Sequence, residues 1–253
     1  MMSRLTILGL IFNLSIMGVA SAADVDARID WSQRIDMSTA VSGVVEEVRV
    51  NAGDRVNKGD ILLRLQADRF KAVLSSAQAA KKDAHYKLKE AQREWDRAKE
   101  LYDRTVLSDR DLQLAENGLI SAKAVFAHAS ANQTNAKRDM EESVIRAPFD
   151  AVILARHAHP GQTIVTRMQS VALISVAATK NYHAKGVVPI DSANKLASGQ
   201  AVSVTVDGKR FNGILSSVGY EPEKDTGTYP VVVRFTTGGS LLRAGQSATL
   251  HLP

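Results

Sequence analysis

The sequence predicts a mixed α and β chain, modular and elongated: an antiparallel α-helical coiled-coil hairpin inserted in a β-sandwich and followed by a small β-barrel. Three observations predict it. From Asp68 to Glu142 there is no Pro and a single Gly, Gly118, and apolar residues recur at alternating steps of three and four. On either side of that stretch, short segments of period-two alternation are punctuated by Gly-Asp turns or by Gly and Pro. From 178 onward the pattern is all-β, with turn residues between successive short strands.

Residues 1–23 read as a secretory signal. Arg4 supplies the charged start, Leu5 to Val19 a short apolar run broken by Asn13 and Ser15, and Ala20-Ser21-Ala22 the small-residue cleavage pattern, with cleavage after Ala22 or Ala23. The run is short for a membrane span, and the alternative is an uncleaved anchor. There are no cysteines, which excludes disulfides, thiol catalysis and a lipid anchor on an N-terminal cysteine. The net charge of +5 comes from 32 positive and 27 negative residues interleaved along the chain. Pairs such as Asp83–Lys87, Glu94–Arg97 and Glu100–Arg104 at helix-neighbour spacing mark a solvated helical surface. No basic patch with interleaved aromatics points to a nucleic acid.

Residues 24–37 are short and mixed, and are expected to lie as one edge strand. The first half of the sandwich is 38–67, where Val44, Val48 and Val50 precede Gly53-Asp54, Val56 precedes Lys58-Gly59-Asp60, and Ile61 to Leu65 alternate. The second half is 143–177: Ile145 to Asp150, a strand over Ala151–Ala155, a turn at Gly161-Gln162, and Val171–Val176. Neither half is long enough to bury a core alone, so one sandwich is built from both. Pro148 is expected to stop helical continuation after the second arm.

Between the halves, 68–142 forms the hairpin. The outgoing seam is Phe70, Leu74, Ala77, Lys81, Ala84, Leu88, Ala91, Trp95, Ala98 and Tyr102; the returning seam is Leu112, Ala115, Leu119, Ala122, Phe126, Ala129, Gln133, Ala136 and Met140. Thr105 to Ser108 supply the turn. Folding about the 106/107 bond layers small residues on small ones, Ala91 on Ala122, and large on large, Leu88 on Phe126, so the helices can approach closely. The two polar interruptions, Lys81 and Gln133, fall in the same layer. At about 1.5 Å per residue each arm is roughly 50–55 Å long.

Residues 178–253 form the barrel. The expected strands are Tyr182–Val188, Ala201–Val206, Phe211–Val218, Tyr229–Phe235 and Ser247–Leu252, with a short helix over Asp191–Leu196.

This order of parts resembles the periplasmic adaptor family, the membrane fusion proteins of tripartite efflux and secretion systems. The resemblance is carried by Ser42-Gly43-Val44-Val45 through Gly53-Asp54-Arg55-Val56-Asn57-Lys58-Gly59-Asp60-Ile61-Leu62 and by Ile145-Arg146-Ala147-Pro148-Phe149-Asp150. It implies a lipoyl-like sandwich, no catalysis and no cofactor. The implied partners are an inner-membrane transporter of the resistance-nodulation-division or the ATP-driven class, a TolC-type outer-membrane channel at the hairpin tip, and further copies of the chain in a ring of six. The family's tip pattern, Arg, then Leu four later, then Ser seven later, falls on Arg97, Leu101 and Ser108.

Each of these three also has a plain structural explanation: Arg97 as a surface partner of Glu94, Leu101 closing the seam, and Ser108 capping the second helix with Asp111. Two departures stand out. Asp150-Ala151 replaces the family's usual Asp-Gly, so a different turn is expected. The chain stops at Pro253, just after the last strand, so the family's membrane-proximal domain is expected to be absent or vestigial.

Other signals are weak. His157-Ala158-His159 puts two imidazoles on one face of a strand without a third ligand nearby in sequence. There is no phosphate-cradling Gly loop, nucleophile elbow or carboxylate pair. An acyl or biotinyl carrier module is the rival reading of the sandwich halves, but such a module needs an exposed Lys on a tight hairpin where this chain has 68–142. A free-standing coiled-coil scaffold is a further rival.

Overall fold

The computed structural model describes residues 23–166, 171–224 and 226–253. Apart from Ala23, the expected leader lies outside them. Among the described residues the chain divides into two compact units, one of Trp31–Lys180 and the other of 23–30 together with Asn181–Pro253.

In the first unit, two four-stranded sheets enclose one core. The strands are β2 (Arg34–Met37), β3 (Gly43–Val48), β4 (Arg55–Val56), β5 (Ile61–Leu65), β6 (Val144–Arg146), β7 (Ala151–Arg156), β8 (Thr163–Ile164) and β9 (Ile174–Ala178). One sheet runs β2-β9-β7-β4 and the other β6-β5-β3-β8. Every sheet therefore draws strands from before and after the hairpin, which is why neither half can close a core alone. Leu62, Leu63, Leu173, Ile174 and Val176 are fully withdrawn from solvent in that core. The turns before β4 and β5 are built alike. Gly53 and Gly59 take φ of +95° and +92°, and the carboxylates of Asp54 and Asp60 accept the amides of Asn51 and Asn57 at 2.7 and 2.8 Å.

The two long helices are α1 (Asp68–Asp103) and α2 (Asp109–Glu142). They are rooted on β5 and β6, which pair antiparallel from Ile61–Arg146 to Arg64–Val144. Phe70 and Met140 pack into the sandwich core at this junction. Along the arms, the positions shielded from solvent include every residue marked by the spacing except Tyr102. The rings of His85 and Phe126 lie 5.4 Å apart across the two helices. The surface pairs form as spaced: Asp83–Lys87 at 2.8 Å, Glu94–Arg97 at 3.0 Å and Glu100–Arg104 at 3.9 Å.

α2 ends at the expected bound, short of Pro148. The helix stops at Glu142, where the Ser143 hydroxyl donates to the Met140 carbonyl at 2.7 Å and the next residues enter β6. Strand pairing in β6 ends the helix there, and Pro148, with no N–H to donate, bars helical continuation beyond it.

The second unit is a closed six-stranded barrel in the order β1-β10-β13-β12-β11-β14. Its strands are β1 (Ala23–Trp31), β10 (Asn181–Val188), β11 (Ala201–Val206), β12 (Lys209–Val218), β13 (Tyr229–Thr236) and β14 (Ser247–Leu252), with α3 (Ile190–Ala193) between β10 and β11. Tyr182, Leu215, Leu250 and Phe235 fill it, and the Tyr182 hydroxyl accepts the Leu242 amide at 3.1 Å.

Residues 24–37 are not one edge strand. They divide between β1, which closes the barrel against β14, and β2, which pairs with β9 in the sandwich. The reason is visible in the burial. Ala27 and Ile29 face the barrel core, whereas Ile35 and Met37 pack on the sandwich core.

Candidate functional site

The hairpin tip is built from the last turn of α1 and the first of α2. Arg104 caps α1, Thr105 follows with φ +58°, and two bonds close the end: Thr105 N–H to the Tyr102 carbonyl at 2.8 Å and Val106 N–H to the Leu101 carbonyl at 3.0 Å. This is the Schellman arrangement, with a β-branched residue where Gly is usual. A β-branched residue at positive φ is strained by about 1–3 kcal/mol. No Gly marks this helix end, so the motif left no signal in the sequence.

Ser108 opens α2 with extended backbone (φ −78°, ψ 154°), and its Oγ accepts the Asp111 amide at 3.3 Å while donating to the Asp111 carboxylate at 2.7 Å. Asp109 and Asp111 sit in the first turn, where acidic side chains complement the helix dipole. Leu101 is half-buried and takes the interior position expected for Tyr102. Arg97 lies one turn farther down the same face of α1, about 6 Å along the axis. Its side chain is 66% exposed, with one guanidinium N–H donated to Glu94.

Tyr102 was not among the tip candidates. It is exposed, and its hydroxyl bonds to the Asp109 carboxylate across the turn, which holds the phenol above its usual pKa. The spacing alone assigned it to the seam. Geometry thus puts Leu101, Ser108, Tyr102 and Asp109 at the turn, with Arg97 below them.

Away from the tip, Asp150 closes the loop between β6 and β7. Its carboxylate accepts from the Lys180 ammonium at 2.6 Å and the Lys58 amide at 2.9 Å, and these hold it below the ordinary carboxylate range. His157 and His159 are both exposed, and Arg156 Nη1 lies 3.3 Å from His159 Nδ1. Among the described residues no group of three His, Cys, Asp or Glu is placed to hold a metal ion.

The family model of the CzcB-like barrel-sandwich hybrid domain matches residues 33–175. The chain belongs to this family, among the membrane fusion adaptors. It is 27% identical over 220 residues to nodulation protein NolF of Rhizobium meliloti, covering 84% of this chain and 58% of NolF. It is 26% identical over 214 residues to the macrolide export protein MacA of Yersinia pestis, covering 78% and 58%. The chain thus spans 58% of the length of each of these curated relatives.

Among solved structures, the membrane fusion protein Spr0693 of Streptococcus pneumoniae R6 aligns with a TM-score of 0.68 at 18% identity, covering 92% of this chain and 99% of that one. A MacA-MexA chimera containing the Pseudomonas aeruginosa MexA α-hairpin domain aligns with a TM-score of 0.64 at 21% identity, covering 91% and 80%. These similarities establish the shared fold. Adaptors of this family are non-enzymatic. Among the described residues, no helix of this adaptor is long and apolar enough to cross a membrane.

Proposed function

We propose that this adaptor works in the periplasm, exported by a cleaved leader, and links an inner-membrane transporter to a TolC-type outer-membrane channel for efflux of small molecules. The transporter is of the resistance-nodulation-division class or ATP-driven. One observation carries the reading: a two-helix arm grows from the adjacent strands β5 and β6, inside a sandwich belonging to an adaptor family. In this reading the sandwich is lipoyl-like, the arm is a coiled coil, and copies associate in a ring of six whose arms stand side by side. An arm of that length gains rigidity from neighbours.

Arg97, Leu101 and Ser108 meet the channel. A partly committed guanidinium fork, a half-buried leucine and a hydroxyl at a helix start suit recognition of helical ends. The test is replacement of Arg97, Leu101 or Ser108 singly, reading capture of the channel protein and export alongside helical content by circular dichroism. Loss of capture with unchanged helicity is the expected result; normal export by all three variants overturns the assignment.

A further inference from the structure

The barrel has two ends, and strand direction fixes what each one carries. β1 begins at Ala23, opposite Leu252 where β14 runs out. β11 begins and β12 finishes beside them, with Ser203 paired to His251 and Ala201 to Ile214. β13 starts at this end too, Val231 on Val218, and β10 finishes there, Val188 on Tyr229. The two loops here are therefore 189–200, which holds α3, and 219–228. The Asp207-Gly208 turn that joins β11 to β12 is at the other end.

The first of these ends is apolar where it projects. Tyr220 is fully exposed and Ile190 is 47% exposed. Both line one groove with Ala193, Leu196, Val218 and Tyr229. The backbone is pinned one residue before the Tyr220 ring. There the Gly219 amide donates to the Pro230 carbonyl at 2.7 Å, and a Cβ on Gly219 would meet the Pro230 ring at 2.7 Å. An aromatic ring with a polar tip beside an exposed isoleucine suits the boundary between water and lipid. The two loops carry Lys195 and Lys224 against Asp191, Glu221, Glu223 and Asp225, so charge does not draw this end to an anionic surface.

What faces this end follows from the chain before it. The apolar run of the expected leader stops at Val19. Fully extended, the link from Val19 to Ala23 spans at most about 14 Å. While the run sits in the bilayer, the barrel end bearing Ala23 stands no farther than that from the lipid. The opposite end is a strand's length away.

We infer that this end of the barrel seats on the periplasmic surface of the inner membrane, with Tyr220 and Ile190 entering the headgroup layer of zwitterionic lipid. The inference deepens the proposed role and rests on the reading of the first residues as an export leader. Once the leader is cleaved, the seat outlasts the tether. Two side chains hold a single copy weakly, and a ring of six multiplies the contact through effective concentration. The seat sets the height of the barrel above the bilayer, where a transporter must meet it.

The absence of native cysteine allows one label per chain. Ser198→Cys, on the groove, and Lys209→Cys, at the other end of the barrel, each place a polarity-sensitive fluorophore on the exported chain, freed of its leader. Vesicles of phosphatidylethanolamine and phosphatidylcholine are then titrated in. A blue shift at 198 and none at 209, unchanged by high salt, is the expected result. Adding Tyr220→Ser and Ile190→Ser together is expected to weaken binding at least about tenfold. No shift at 198, equal shifts at both positions, or a shift that the double variant leaves intact overturns the seat. So does a shift that needs anionic lipid or is lost in salt. Intact mass of the exported chain, which shows whether the leader was removed, judges that reading separately.

Discussion

The amide of Leu65 donates to the carbonyl of Ser143 at 2.9 Å, and the whole helical hairpin lies between these two residues. Paired strands run 4.7–4.9 Å apart whereas packed helices run 8–10 Å apart, so the chain splays as β5 and β6 give way to α1 and α2. Phe70 and Met140 pack into the sandwich core at that point. Arm and sandwich are thereby one cooperative unit. Phe70→Ala is expected to destabilise the first unit by about 3–5 kcal/mol, measured by urea unfolding.

The arms have a common register, so their lengths are coupled. Removing one heptad from each arm keeps seam facing seam, whereas removing one from α1 alone leaves its partner heptad on α2 unmatched. The symmetric deletion is expected to retain cooperative unfolding with proportionally reduced helical content. The one-sided deletion is expected to lower the melting temperature, followed by circular dichroism at the helix band.

Thr105 occupies a conformation better suited to glycine. Thr105→Gly is expected to stabilise the hairpin by about 1 kcal/mol through relief of that strain. Denaturant midpoints of the two proteins check it.

Asp150 links stability to acid. Its folded pKa is depressed by Lys180 and the Lys58 amide, so its contribution is present above the unfolded carboxylate value of about 3.9 and is lost as pH falls through the lower folded value. Amide exchange at Lys58 is expected to be protected at neutral pH and to lose protection only in strong acid. In Asp150→Asn the protection is expected to fall at every pH.

Tyr102 runs the other way. Its folded pKa is raised by the bond to Asp109, so the contribution is complete below the unfolded value of about 10 and is lost as pH rises through the folded value. In a spectrophotometric titration, Asp109→Asn is expected to move the ionisation of one tyrosine to lower pH.

Much of this was legible in sequence because it is periodic. The seam from Phe70 to Met140 repeats often enough to identify itself, and Gly53-Asp54 and Gly59-Asp60 name their turns by the only residue that tolerates them. What was not legible lacked repetition or depended on distant partners. Val25, Ala27 and Ile29 alternate as a barrel strand should, but their partners on β14 lie at the far end of the chain, and nothing local separates β1 from β2. Thr105 stands where Gly would have announced the helix end. At the tip, the spacing of Arg97, Leu101 and Ser108 could be read, but the bond from Tyr102 to Asp109 appears only once the turn is folded.

The pairing of Ala23 with Leu252 sets an order of events. β1 precedes its neighbours β10 and β14 by most of the described chain, so the barrel cannot shut until strands far apart in sequence have met. Long-separated contacts of this kind form slowly, and an unpaired strand edge waiting for its mate invites the wrong one. A chain lacking Ser247–Leu252 would keep the edges of β1 and β11 open for good, which ties solubility to this one strand.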